Sequence, residues 1–232
     1  MVRRRERTIL SAASVLLVMG LVILNALAAV YLMAFDLGLY RSLWLAYGVP
    51  DTTGMTLDEL SEAGQALLDY FEGKSETPQR TVLIDGVSRP LYNETELLHL
   101  ADVKSLFRFG FTLQGVAAAE VVGISLFLWR AGRKRSLGTS LLSAAAVCLG
   151  LLAALAIPAR LDFGTWWMDF HLITFSNDLW LLDPATDWLI RMFPEGFFLS
   201  AITRIGLYSA GISTAFAVLG FLIRHFSPDH RH

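Results

Sequence analysis

Two histidines in this chain stand where acid–base chemistry could be done. Glu96, His99 and Asp102 follow one another at intervals of three, so on a helix a carboxylate lies one turn from the imidazole in each direction. His171 comes shortly after Asp169, and Asn177, Asp178 and Asp183 follow it. An imidazole with a pKa of about 6.5 is suited to taking and returning protons near neutral pH. The plainer reading makes each an ordinary hydrogen-bonded histidine, but two of them with neighbouring carboxylates favour a reactive pair. His225, His230 and His232 belong to the terminal segment and are assigned no catalytic part.

Other chemistries lack their residues. No G-x-S-x-G elbow occurs, and His99-Leu100-Ala101-Asp102 is too short for a pattern of histidine, four residues and aspartate. The single cysteine, Cys148, excludes an internal disulfide and a C-x-x-C site and reads as a small core residue. A zinc site would have only His99, Asp102 and His171 to draw on, and the sequence leaves it open, although no metal is expected. No phosphate loop or dinucleotide motif is present, which fits a function that needs no soluble cofactor.

The elements that carry these residues follow from hydropathy. Of 232 residues, 54% are hydrophobic and 17% charged, and the mean hydropathy is +0.51. Soluble domains carry roughly 25% charge, so this chain is too apolar for water. A net charge of −2 gives no reason to expect nucleic acid. Four runs reach the ~20 apolar residues that a bilayer core requires: 9–35, 109–129, 137–157 and 197–223. The first is longer than the ~7–15 apolar residues of a signal peptide and is expected to be retained as an anchor.

Basic residues orient the four spans. Arg3, Arg4, Arg5 and Arg7 precede the first, Arg130, Arg133, Lys134 and Arg135 separate the second and third, and Arg224 follows the fourth. By the positive-inside rule, segments 1–8, 130–136 and 224–232 are cytoplasmic, and 36–108 and 158–196 are extracytoplasmic. The expected fold is a membrane α-helical protein, a four-transmembrane-helix bundle whose two extracytoplasmic segments form a small mixed α/β cap. Trp44, Trp166, Trp167, Trp180 and Trp188 read as an aromatic belt at the outer headgroups. Glu120 and Arg204 lie inside spans, where charge is costly and functional by default; they pair with each other, or Arg204 snorkels outward, or they line a substrate pocket. Asn25 and Gln114 read as hydrogen-bonding residues between helices.

Within the first outer segment, Thr56 to Gly73 reads as an amphipathic helix with Thr56 and Glu59 as a capping box. Thr81–Ile84 and Ser88–Leu91 flank Asp85-Gly86, a hairpin signal, with Pro90 marking an edge strand. Asn93 and Glu96 form a second capping arrangement at the start of the helix that carries His99. In the other segment, Asp183-Pro184 reads as the start of a short helix that Pro194 ends.

Three stretches together resemble a known family. Glu96-Leu97-Leu98-His99-Leu100-Ala101-Asp102-Val103 leads into the second span. Phe170-His171-x-x-x-Phe175-Ser176-Asn177-Asp178-x-Trp180 forms a second block, continued by Asp183-Pro184-Ala185-Thr186-Asp187 and by Phe193-Pro194-Glu195-Gly196-Phe197-Phe198. These are similar to the lipoprotein intramolecular transacylases (Lit), four-helix membrane acyltransferases. The resemblance implies transfer of an acyl chain from the glyceryl group of a diacylglyceryl-cysteine lipoprotein to the α-amine of the same cysteine. It also implies two working histidines, at the matching positions His99 and His171, with diacylglyceryl-modified lipoproteins and membrane lipid as partners.

Residue chemistry is compatible with that expectation. An α-amino group has a pKa of about 7.7–8.0 and needs a base before it can attack an ester. In this reading His99 is the base, oriented by Glu96 or Asp102, and His171 is the acid or oxyanion donor, or the two roles are exchanged; an acyl-histidine is a further variant. Asn177, Asp178 and Asp183 hold the loop, and Arg204 meets an ester carbonyl. Two rivals stay open. One is a non-enzymatic accessory or sensor protein binding lipid or a partner through its outer segments, and the other a metal-dependent hydrolase.

Overall fold

In the computed structural model the described residues are 2–84 and 87–227, with the side chains of 2–8 and 84 set aside. The Asp85-Gly86 turn, His230, His232 and the side chains of the first arginine cluster therefore lie outside the described residues. In chain order the elements are α1 (Val2–Ala34), α2 (Leu37–Ala46), α3 (Val49–Thr53), α4 (Leu57–Phe71), β1 (Thr81–Ile84), β2 (Val87–Pro90), α5 (Glu94–Arg130), α6 (Lys134–Leu161), α7 (Phe163–Thr174), α8 (Trp188–Met192) and α9 (Glu195–His225). The chain divides into two compact units.

One unit gathers residues 1–31, 111–156 and 205–232. It is built from the greater part of α1 and from parts of α5, α6 and α9, which among the described residues are the four helices long and apolar enough to cross a membrane; their most apolar 18-residue stretches have mean hydropathies of 2.6, 1.7, 2.4 and 1.7. Leu17, Leu21, Leu128, Leu137, Leu141 and Ala144 form its buried core. A Cβ added at Gly220 would lie 2.7 Å from the carbonyl oxygen of Gly138. Two small residues thus let the α6 and α9 backbones touch, the usual device of helices packing in lipid. Asn25, 1% exposed, donates to Ser213 Oγ (2.9 Å) and the Ser209 carbonyl (3.2 Å), and accepts from Ser209 Oγ (2.6 Å). The hydrogen bonds expected of Asn25 thus join α1 to α9. Cys148 is buried, as expected of a core residue.

The other unit gathers residues 32–110 and 157–204. Thr56 and Glu59 form the anticipated capping box of α4, whose Leu60, Gly64, Leu67, Leu68 and Phe71 are buried. Gly64 lies under the indole of Trp44, where an added Cβ would come 2.6 Å from Cη2. Strands β1 and β2 pair antiparallel from Thr81↔Pro90 to Ile84↔Val87, one residue earlier on the second strand than the sequence suggests.

Helices α2 and α3 are not anticipated by the sequence reading, and three further features differ from it. Trp44 is not part of an interfacial belt: it is 0% exposed, and its indole N–H donates to the Met192 carbonyl (2.9 Å), so it is a core residue of this unit. Asp183-Pro184 does not start a helix. Asp183 Oδ1 accepts from the Ala185 N–H (2.8 Å), closing a local turn as aspartate does, and α8 begins only at Trp188. Helix α7 is not foreseen, because Phe163, Trp166, Trp167 and Phe170 leave little polar periodicity to mark it; Asp162 caps it through the Thr165 N–H (3.1 Å).

Candidate active site

His99 and His171 belong to the same unit and face each other with ring centroids 6.3 Å apart. His99 lies on the first part of α5. At ~1.5 Å per residue this helix is far longer than a bilayer core needs, and its early charges Glu94, Glu96, Asp102, Lys104 and Arg108 disfavour hydrocarbon there. His171 lies on α7. Their residues are 8% and 7% exposed, and Phe175 packs on both rings, at 5.3 and 5.7 Å.

The tautomer of His171 follows from its partner. Nδ1 lies 2.8 Å from the Trp167 carbonyl one turn back, and a carbonyl only accepts, so Nδ1 carries the proton. The neutral ring therefore presents an unprotonated Nε2. Burial lowers its pKa, and the Trp167 hydrogen bond works against that shift. His99 differs: its Nδ1 is buried without a partner. Burial pushes its pKa down to about 4, the neighbouring His171 adds to the shift, and Asp102 opposes it. At neutral pH His99 is thus an uncharged imidazole with one N–H to donate.

The carboxylates expected to orient His99 have other primary partners. Glu96 is 0% exposed. Its Oε2 accepts from the Asn93 N–H (2.7 Å), completing the local cap, while Oε1 accepts from the Leu189 N–H (2.6 Å) at the start of α8. Burial raises its pKa, the donated N–H bonds lower it, and nearby Asp187 raises it. Asn93 Nδ2 donates to Asp187 Oδ1 (2.8 Å), and the Asp183 N–H donates to Asp187 Oδ2 (2.7 Å). One turn beyond His99, Asp102 Oδ2 accepts from Asn177 Nδ2 (2.9 Å). Helix α5 is therefore tied to the second segment on both sides of His99, and Glu96 and Asp102 hold the chain around the imidazole.

The remaining candidates scatter. Asp178 and Asp183 are exposed, as is Arg204 on α9. Glu120 belongs to the other unit, half-buried beside Gly20 of α1. Among the described residues no three histidine, cysteine or carboxylate side chains form a group able to hold a metal ion. Three contributors escape the sequence reading: the Trp167 carbonyl, Asp187 and Trp180, whose ring stacks on His171 at 4.9 Å. All three positions appear in the sequence reading, Trp167 and Trp180 as interfacial aromatics and Asp187 at the end of the block that continues from Asp183, but none with the part it takes here. A further buried side chain, Tyr92, has a hydroxyl without a hydrogen-bond partner, its pKa raised by burial and by Glu96.

Comparison with known proteins adds the following. The family model of the lipoprotein intramolecular transacylase Lit matches residues 14–198. No curated protein sequence matches the chain. Among solved structures, the membrane-integral transacylase Lit from Bacillus cereus superposes with a TM-score of 0.80 at 21% identity, covering 93% of this chain and 96% of that one. A histidine-to-arginine variant of that protein gives 0.76 at 19% identity, covering 95% and 94%. A histidine-to-alanine variant gives 0.77 at 19%, covering 96% and 97%. At such identities the solved structures speak for the fold.

Proposed function

This chain belongs to the lipoprotein intramolecular transacylase family, whose members are acyltransferases, and we propose that it moves one acyl chain from the glyceryl ester of a diacylglyceryl-cysteine lipoprotein to the α-amine of the same cysteine. The product is the N-acylated lyso form. The observation that carries this reading is the pair of buried, facing imidazoles, one with a free Nε2 and one held neutral.

The chemistry assigns the roles in the order opposite to the first sequence reading. His171 is the base, because its Nδ1–H is committed to Trp167 and Nε2 is left to accept. His99, with the lower affinity for a proton, acts as a neutral donor, as an imidazole of depressed pKa can. The substrate ammonium first releases one proton through His171 to solvent. The neutral amine attacks the ester carbonyl carbon, and His99 donates its N–H to the developing oxyanion; a donor of this kind contributes ≈ 2.7–4 kcal/mol. As the C–N bond forms, Nε2 takes a second proton from the nitrogen and hands it to the glyceryl oxygen as the C–O bond breaks. An ester becomes an amide and a glyceryl hydroxyl is freed, with no change of mass.

The basic cluster between α5 and α6 and Arg224 at the end of α9 support cytoplasmic termini and a reaction on the outer face of the membrane. The test is mass spectrometry of an N-terminal lipopeptide from a bacterium lacking N-acylation, with and without this protein. Unchanged mass with one acyl group on the cysteine amine is expected. A free-amine diacylglyceryl peptide, with the protein present in the membrane, would favour a lipid- or partner-binding role instead.

A further inference from the structure

The imidazole of His171 is enclosed by aromatic rings that differ in how they meet it. Trp167 and Phe170 stand edge to face, at 81° and 83°. Trp180 lies nearly parallel to it, 29° from coplanar with centroids 4.9 Å apart, and Phe175 is less close, at 5.7 Å and 33°. A cation within ~6 Å of an aromatic face is attracted by the ring quadrupole, most strongly for tryptophan and more so in a desolvated place. His171 is neutral while it waits and cationic while it holds the substrate's proton, so the stack distinguishes those two states.

We propose that Trp180 is a positioning residue for the acyl transfer, its indole face stabilising the protonated form of His171 and so setting the pH range in which that base operates. This inference rests on the role given to His171 above. A buried imidazole that could not hold a proton would be a poor base, because burial penalises its cation; the indole supplies compensation without a charge that would bind the proton permanently.

Charged neighbours do not account for the same effect. Within its unit, the titratable groups on the elements around His171 are Glu94, Glu96, His99, Asp102, Lys104 and Arg108 on α5, Asp169 on its own helix, Asp178, Asp183 and Asp187 in the loop bearing Trp180, and Glu195 and Arg204 on α9. None is hydrogen-bonded to the His171 ring, whose partner is the Trp167 carbonyl. Glu94, Arg108, Asp169, Asp178, Asp183, Glu195 and Arg204 are exposed to solvent, Glu96, Asp102 and Asp187 accept from other donors, Lys104 donates to the Ser75 carbonyl, and His99 is uncharged at neutral pH.

The experiment is a titration of the full-length protein carrying carbon-13 in its histidine rings, with the His171 signal identified by its loss in His171→Gln. Trp180→Leu should lower the pH at which His171 titrates by about one unit, and Trp180→Phe by less. In the acyl-transfer assay the acid limb of the pH–rate profile should move the same way, because a weaker base stays unprotonated to lower pH, while the plateau kcat falls and Trp180→Phe restores part of it. An unchanged His171 titration in Trp180→Leu overturns the proposal, as does a shifted titration with an unmoved pH–rate profile. Should Trp180→Leu fail to fold, an unchanged titration in Trp180→Phe overturns it equally. The titration needs no substrate, so wild-type protein that transfers no acyl group would be recognised separately, as failure of the functional reading and of the catalytic part given to Trp180 within it.

Discussion

The two units of this molecule bury polar side chains in opposite ways. In the helical unit, Asn25 and Ser213 are buried but answered by Ser209 and by each other, so polarity there serves to hold α1 against α9. In the unit that carries the histidines, Glu96 and Asp187 are fully engaged, yet Tyr92 Oη and His99 Nδ1 are buried without partners. They are the only such side-chain atoms among the described residues. Buried polar groups are nearly always hydrogen-bonded, and each exception calls for a reason. A closed network fixes structure, whereas the unpartnered Nδ1 of His99 leaves hydrogen-bonding capacity at one of the two imidazoles.

The comparison is broken most severely by removing the base. His171→Ala should reduce acyl transfer about 10²–10⁴-fold, measured on a lipopeptide per folded molecule; a wild-type rate would move the base elsewhere. Next is Trp44→Ala, which empties the core of the histidine-bearing unit and strands the Met192 carbonyl. Core tryptophan truncation costs about 3–5 kcal/mol, to be read from thermal unfolding in detergent, and a loss below about 1 kcal/mol would show that the unit does not depend on this anchor.

Acid should act on the same unit. His99 titrates at about 4 when folded against a usual value of 6.5, so between these pH values the unfolded chain binds a proton that the folded chain does not. The resulting stability is full above pH 6.5 and is lost as pH falls toward 4, a change of at most about 3 kcal/mol. His171 is shifted in the same direction. His99→Leu should flatten this dependence, and an equally steep curve in the variant would assign the acid sensitivity to other groups. The smallest effect is expected in the other unit: Asn25→Ala should cost about 1 kcal/mol while leaving acyl transfer per folded molecule unchanged. Lost turnover there would join the two units functionally.

Much of the scaffold was legible because its signals are local. The Thr56–Glu59 and Asn93–Glu96 capping boxes require only three-residue spacing and both form. The two strands around residues 85 and 86 pair within one residue of expectation. Misreadings arose where local cues were ambiguous. Tryptophan suits both an interface and a core, and Trp44 takes the core; Asp-Pro suits both a helix start and a turn, and at Asp183 the turn forms. The aromatic run of α7 carries no amphipathic period to read.

What the sequence determined by itself is the set of four apolar helices and the two histidines flanked by carboxylates. Hydrocarbon thickness and one-turn spacing act on residues near one another in the chain. Tertiary structure alone decided that Glu96 caps α8 through Leu189, that Asn177 holds Asp102, and that Trp180 lies over His171. The first two join residues 93 and 75 positions apart. A hydrogen bond or a ring stack extends only a few ångströms, so contacts between remote residues exist only after the chain has folded them together.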